Sequence, residues 1–103
     1  MRESQYQSEL IRKLRRMFPD CVILKNDSSY LPGVPDILIL YRNHWAMLEV
    51  KMDRGVHRQP NQDHYIAKFN DMSFAALINP TNEEEVLNAL QLAFESVWPT
   101  RIS

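Results

Sequence analysis

Apolar residues along the chain fall into two helix-spaced stretches with short extended runs between them. Tyr6, Leu10, Leu14 and Met17 make one stripe, which predicts a helix over residues 4–18. Ser4 is its expected cap, with Gln7 three residues on as a weak capping box. Pro19-Asp20 ends it, and residues 21–25 read as a short strand. The stretch NDSSYLPGVP, residues 26–35, is dense in loop-forming residues. Two apolar strands follow over 37–41 and 45–51, around an Arg42-Asn43 turn. Residues 52–59 form a polar loop, and Pro60 suits the first turn of a second helix that reaches about Asn70. A strand over 74–78 and a turn at Asn79-Pro80 precede a last helix. That helix is capped by Thr81 or Asn82, opens on Glu83, Glu84 and Glu85, and runs to about Trp98-Pro99. The order α-β-β-β-α-β-α predicts a single α/β domain over residues 1–103, built on a mixed sheet.

The strand pair carries charges at its end, where burial is costly unless something is bound. With a two- or four-residue turn centred on Arg42-Asn43, opposed residues sum to 85. Tyr41 then faces His44, Ile39 faces Ala46, and Asp36 faces Glu49. The two carboxylates would lie directly across the ladder, their Cβ atoms ~5 Å apart. A three- or five-residue turn would break this pairing. Lys51 follows Glu49 by two and projects to the same side.

Composition adds bounds. The chain has 103 residues, 45% of them apolar and 24% charged, which suits one soluble globular domain with little core to spare. No apolar run approaches the ~20 residues of a membrane span, and the N-terminus has no signal-peptide core. Cys21 is alone, which points to a reducing cytoplasm and away from a disulfide or a zinc cluster. The net charge of −1 hides an asymmetry. Residues 1–58 carry ten Lys/Arg against seven Asp/Glu, and residues 59–103 carry two against six. The basic half is suited to phosphates.

Hard divalent cations prefer oxygen ligands, and Mg²⁺ typically takes one or two protein carboxylates and keeps several waters. Asp36 and Glu49 provide such a pair, and the Val50 carbonyl offers a further oxygen. The Lys51 ammonium would orient a water or stabilise charge growing on a phosphate. Metal-assisted phosphodiester hydrolysis needs these parts.

Pro35-Asp36, twelve intervening residues, then Glu49-Val50-Lys51 resembles the PD-(D/E)XK nuclease superfamily. Within it, GVPDILIL, LEVK and QPNQ resemble the small VRR-NUC branch and related Holliday junction resolvases, across residues 9–78. The resemblance implies a restriction-endonuclease-like core with Asp36 and Glu49 as metal ligands and Lys51 as the catalytic lysine. It further implies a first-helix acidic residue that maps onto Glu9, and Gln62 as a glutamine that helps hold the site. The expected cofactor is Mg²⁺, with Mn²⁺ able to substitute. The expected activity is endonucleolytic cleavage of branched DNA such as four-way junctions. A nicking or restriction-type nuclease, or a non-catalytic DNA-binding module, are the alternatives. Small stand-alone members are often virus-encoded, which implies action in a host cytoplasm.

Arg12, Lys13, Arg16, Arg54 and Arg58 flank the expected site and would contact phosphates without reading sequence. Val86, Leu87, Leu90, Ala93, Phe94, Val97 and Trp98 give the last helix a wide apolar surface. A small domain has little core to cover such a surface, so a homodimer through that helix is expected.

Overall fold

The computed structural model describes residues 1–52 and 61–96. The elements are α1 (Glu3–Met17), β1 (Val22–Lys25), β2 (Ile37–Tyr41), β3 (His44–Val50), α2 (Gln62–Met72), β4 (Ala75–Ile78) and α3 (Glu83–Glu95). This is the expected order, on a mixed sheet β1-β2-β3-β4. The first three strands run antiparallel, and β4 joins β3 in parallel after the α2 crossover. A parallel neighbour needs such a crossover, whereas β2 and β3 need only a tight turn. Arg42 occupies that turn in the left-handed region, at φ 56°.

Strand alternation divides the sheet into two faces. Ile37, Ile39, Ala46, Leu48, Val50 and Ile78 are buried on one face. They form one core with Tyr6, Leu10 and Leu14 of α1 and with Val86, Leu87, Leu90 and Phe94 of α3. Fully burying each such aliphatic side chain stabilises by roughly 1.5–3 kcal/mol. The opposite face is only partly covered. There Trp45 meets Phe69 of α2 edge-on, at 6.2 Å between ring centroids. Val22, Leu24 and Leu40 stay exposed.

Several boundaries differ from expectation. The first helix begins one residue earlier, at Glu3, and its cap position is Arg2 with no side-chain cap. Ser4 is already inside the helix, where its carbonyl accepts from the Ser8 hydroxyl. Asn82 precedes α3 without capping it. Its side chain instead accepts from the Asn79 amide and donates to the Leu77 carbonyl, fixing the turn out of β4. Pro60, Val97 and Trp98 lie outside the described residues. Much of the apolar surface of α3 is used inside the chain: Val86, Leu87, Leu90 and Phe94 are buried, Ala93 is half-buried and Leu92 is exposed. No helix among the described residues is long and apolar enough to cross a membrane.

Candidate active site

The β2–β3 pairing has the register that sums to 85, from Tyr41 opposite His44 to Ile37 opposite Leu48. One step further, Asp36 and Glu49 meet at the mouth of the ladder and interlock. The Asp36 amide donates to Glu49 Oε1 at 3.1 Å, and the Val50 amide donates to Asp36 Oδ2 at 3.2 Å. Each carboxylate is therefore held by backbone contributed from the opposite strand. Val50 takes part through its backbone, since its side chain is in the core.

The loop before Asp36 is tied down at both ends. Asn26 donates its amide to the Asp36 carbonyl and its side-chain Nδ2 to the Pro35 carbonyl, both at 2.8 Å. Within the loop, Gly33 sits at φ +90°, and a Cβ there would lie 2.5 Å from the Asn61 Cβ. Only glycine permits this approach and this backbone angle together. The close approach sets the start of α2 against the loop. The next residue, Gln62, then donates Nε2 to Glu49 Oε2 at 3.0 Å. Gln62 is buried, and among the described residues its Oε1 accepts no hydrogen bond. A buried unpaired oxygen costs about 1–3 kcal/mol and marks a place where a donor is expected.

Burial chiefly, and then the Asp36 charge, push the Glu49 carboxyl from its ordinary 4.5 up to about 7. Asp36 is also raised, again by burial first. The cation that offsets both is Lys51, and Lys25 adds to it at Asp36. The Lys51 amide donates to the Ile78 carbonyl at 3.0 Å, extending the β3–β4 ladder past the last strand residue. That keeps Lys51 on the Glu49 side of the chain.

The two carboxylates of α1 are placed differently. The α1 charge that acts on Asp36 and Glu49 is that of Glu3. Glu9 instead lines a separate pocket of about 270 Å³ beside Arg12, Lys13, Arg16 and Glu83. Helix geometry explains the difference. Glu3, in the exposed first turn, is seven residues before buried Leu10 and three before buried Tyr6, so it continues the stripe toward the end of the sheet that carries the pair. Glu9 is half-buried but one residue, about 100°, off Leu10.

The basic strip is also changed. Lys13 is salt-bridged to Glu83, which accepts from the Tyr6 hydroxyl at 2.7 Å as well. Arg12 and Arg16 remain exposed on α1. Arg54 and Arg58 lie outside the described residues. Among the described residues, no three His, Cys, Asp or Glu side chains converge as a metal site. Asp36 and Glu49 are therefore a two-carboxylate set, within the range Mg²⁺ accepts when it keeps its waters. No family model, no curated protein and no solved structure matches the chain.

Proposed function

We propose that the protein is a Mg²⁺-dependent DNA endonuclease on a restriction-endonuclease-like core, selective for branched DNA. The observation that carries this reading is the interlocked Asp36–Glu49 pair. Buried Glu49 and half-buried Asp36, both with raised proton affinity, face each other, and the Lys51 charge acts on both. A divalent cation between them would relieve their repulsion.

Asp36 and Glu49 would hold one or two Mg²⁺ ions, with Glu3 reaching them directly or through water. Mn²⁺ would fill the same role. The metal supplies activated water and neutralises charge on the phosphodiester. Glu49 releases its proton as the site fills, and Gln62 keeps its carboxylate oriented. Lys51 steadies the attacking water and the charge that grows on the phosphate. Arg12 and Arg16 hold flanking phosphates, so binding weakens steeply with salt.

A domain of about 100 residues has little room for sequence-reading elements, which favours substrates recognised by shape. A homodimer, as a two-fold junction asks, would use the exposed apolar face of β1 and β2 rather than α3. The rival reading, a non-catalytic DNA-binding module, is favoured by the lack of a third converging ligand among the described residues. One panel decides: four-way junction, flap, nicked duplex and single strand, each with Mg²⁺, Mn²⁺ or EDTA. Metal-dependent cutting that prefers the junction is expected. No cutting of any substrate would leave the module.

A further inference from the structure

The loop that leads into Asp36, residues 26–35, is buried at its foot and bare at its tip. Gly33, Val34 and Pro35 are buried, whereas Asp27, Ser28, Ser29 and Tyr30 are exposed. Tyr30 is 88% exposed, more than any other large apolar side chain among the described residues. Among those residues its ring meets no other ring and its hydroxyl makes no hydrogen bond. The ring faces are therefore open to a ligand. We propose that Tyr30 recognises a branch in DNA by stacking its ring on a base face that the branch leaves uncovered. This role rests on the proposed cleavage of branched DNA and names the side chain that selects it.

The ring is carried on a braced backbone. Asp27 accepts from the Ser29 hydroxyl at 2.6 Å and from the Ser29 amide at 2.8 Å. The Tyr30 amide donates to the Asp27 carbonyl at 3.1 Å, and the Val34 amide to the Leu31 carbonyl at 3.1 Å. The loop is thus ordered before anything binds, which lowers the cost of binding. The same bonds keep Tyr30 near the carboxylate pair. Asn26, the residue before Asp27, donates its amide to the Asp36 carbonyl at 2.8 Å. Two hydrogen bonds and one peptide link therefore join the Tyr30 nitrogen to the Asp36 oxygen, a path of no more than about 13 Å. Phosphates of one strand follow each other every ~3.4 Å along a duplex axis, so Tyr30 stands within about four nucleotides of a phosphate held at Asp36 and Glu49.

The setting of the ring selects the class of ligand. Its exposed neighbours are Asp27, Ser28 and Ser29. No apolar rim surrounds it of the kind that shields an anchor from water at a protein interface. A base needs no such rim, because stacking covers one face of the ring with one face of the base. Lys25, exposed at the start of the loop, offers a cation for the backbone of the same strand, and its charge also reaches Asp36. Inside a continuous duplex both faces of every base are covered by neighbours, and the ring finds nothing to stack on. At a branch that stack is interrupted. Base–aromatic stacking gives roughly 5- to 150-fold in affinity, so Tyr30 favours branched over linear DNA by about that factor. Every base has such a face, which makes the selection one of shape and not of sequence.

Binding is measured in EDTA, so the test does not depend on cutting. A four-way junction carries 2-aminopurine beside the branch, and a linear duplex carries it in the same sequence. Each is titrated with the parent, Tyr30→Ala and Tyr30→Phe. Tyr30→Ala removes no hydrogen bond or ring contact, so its circular dichroism and thermal unfolding should match the parent. It should bind the junction about 5- to 150-fold more weakly than the parent and the linear duplex equally well. Emission from the junction should fall on binding the parent and Tyr30→Phe, which keep the ring, and not on binding Tyr30→Ala. The proposal is overturned if Tyr30→Ala binds the junction as tightly as the parent, which would leave the ring to a protein partner. Equal losses on junction and duplex, or a Tyr30→Phe variant as weak as Tyr30→Ala, overturn it too. Junction-selective binding through Tyr30 by a protein that cuts no DNA would sink the nuclease reading alone. Metal-dependent cutting with unchanged junction preference in Tyr30→Ala would sink the stacking alone.

Discussion

Glu49→Gln should make the metal-free protein more stable above neutral pH, although it removes a buried group with two hydrogen bonds. In the folded state the Glu49 carboxyl titrates at about 7 rather than 4.5, because burial and the Asp36 charge disfavour its ionised form. Between these values the folded state holds a proton that the unfolded state has lost. The raised pKa therefore costs nothing below about pH 4.5, and stability falls as pH rises toward and through 7. At 1.36 kcal/mol per unit, the loss is about 3 kcal/mol by pH 8. Glutamine is neutral throughout and nearly isosteric. Its carbonyl can accept the Asp36 amide, now held by Glu49 Oε1 at 3.1 Å. Its NH₂ can donate to the Gln62 Oε1 that has no partner, once the Gln62 amide turns over. Urea unfolding in EDTA at pH 5, 6, 7 and 8 gives the difference between variant and parent. That difference should be below about 1 kcal/mol at pH 5 and grow to about 2–3 kcal/mol in favour of the variant at pH 8. Saturating Mg²⁺ should stabilise the parent by about 2.7 kcal/mol at a hundredfold excess over its Kd, and the variant hardly at all. Parallel pH profiles for the two proteins, or a variant less stable at pH 8, would refute the reasoning.

Three further outcomes are expected. Glu3→Gln should raise the Mg²⁺ concentration needed for half-maximal cleavage while Glu9→Gln leaves it unchanged; a metal titration of initial rates checks this, and the reverse result would return the role to Glu9. Lys51→Ala should lower turnover by about 10²-fold or more with little change in metal requirement, because it acts on developing charge rather than on the cation. Gly33→Ala should destabilise by about 2–4 kcal/mol, since it joins a left-handed backbone angle to a Cβ overlap with Asn61; thermal unfolding measures it. The same variant should weaken Mg²⁺ binding, because the displaced Asn61 carries Gln62 away from Glu49.

The element order, the β2–β3 register and the Asp36–Glu49 meeting were legible because each rests on local rules. Period-two burial and a two-residue turn fix which residues oppose each other, and strand alternation then puts Lys51 beside Glu49. Less was legible where the outcome depends on tertiary partners. Ser4 has the right chemistry for a cap, but α1 starts at Glu3, which places that carboxylate in the first helical turn. The contact of Lys13 with Glu83 joins residues seventy apart, so no local pattern announces it. The face of α3 looked too wide for a small domain. Its packing beside α1 on the sheet consumes most of it, leaving the open apolar surface on β1 and β2 instead. Gly33 appeared only as part of a loop, although its contact with Asn61 is what sets Gln62 in place.

The central claim is that Asp36 and Glu49 together hold a divalent cation. Its most direct test is Mn²⁺ binding followed by electron paramagnetic resonance, on the parent protein and on Asp36→Asn and Glu49→Gln, without DNA. The account predicts saturable binding to the parent that Mg²⁺ displaces, that tightens as pH rises through 7, and that both variants lose while staying folded. Equal Mn²⁺ binding by all three proteins, or none by the parent at pH 8, would contradict it.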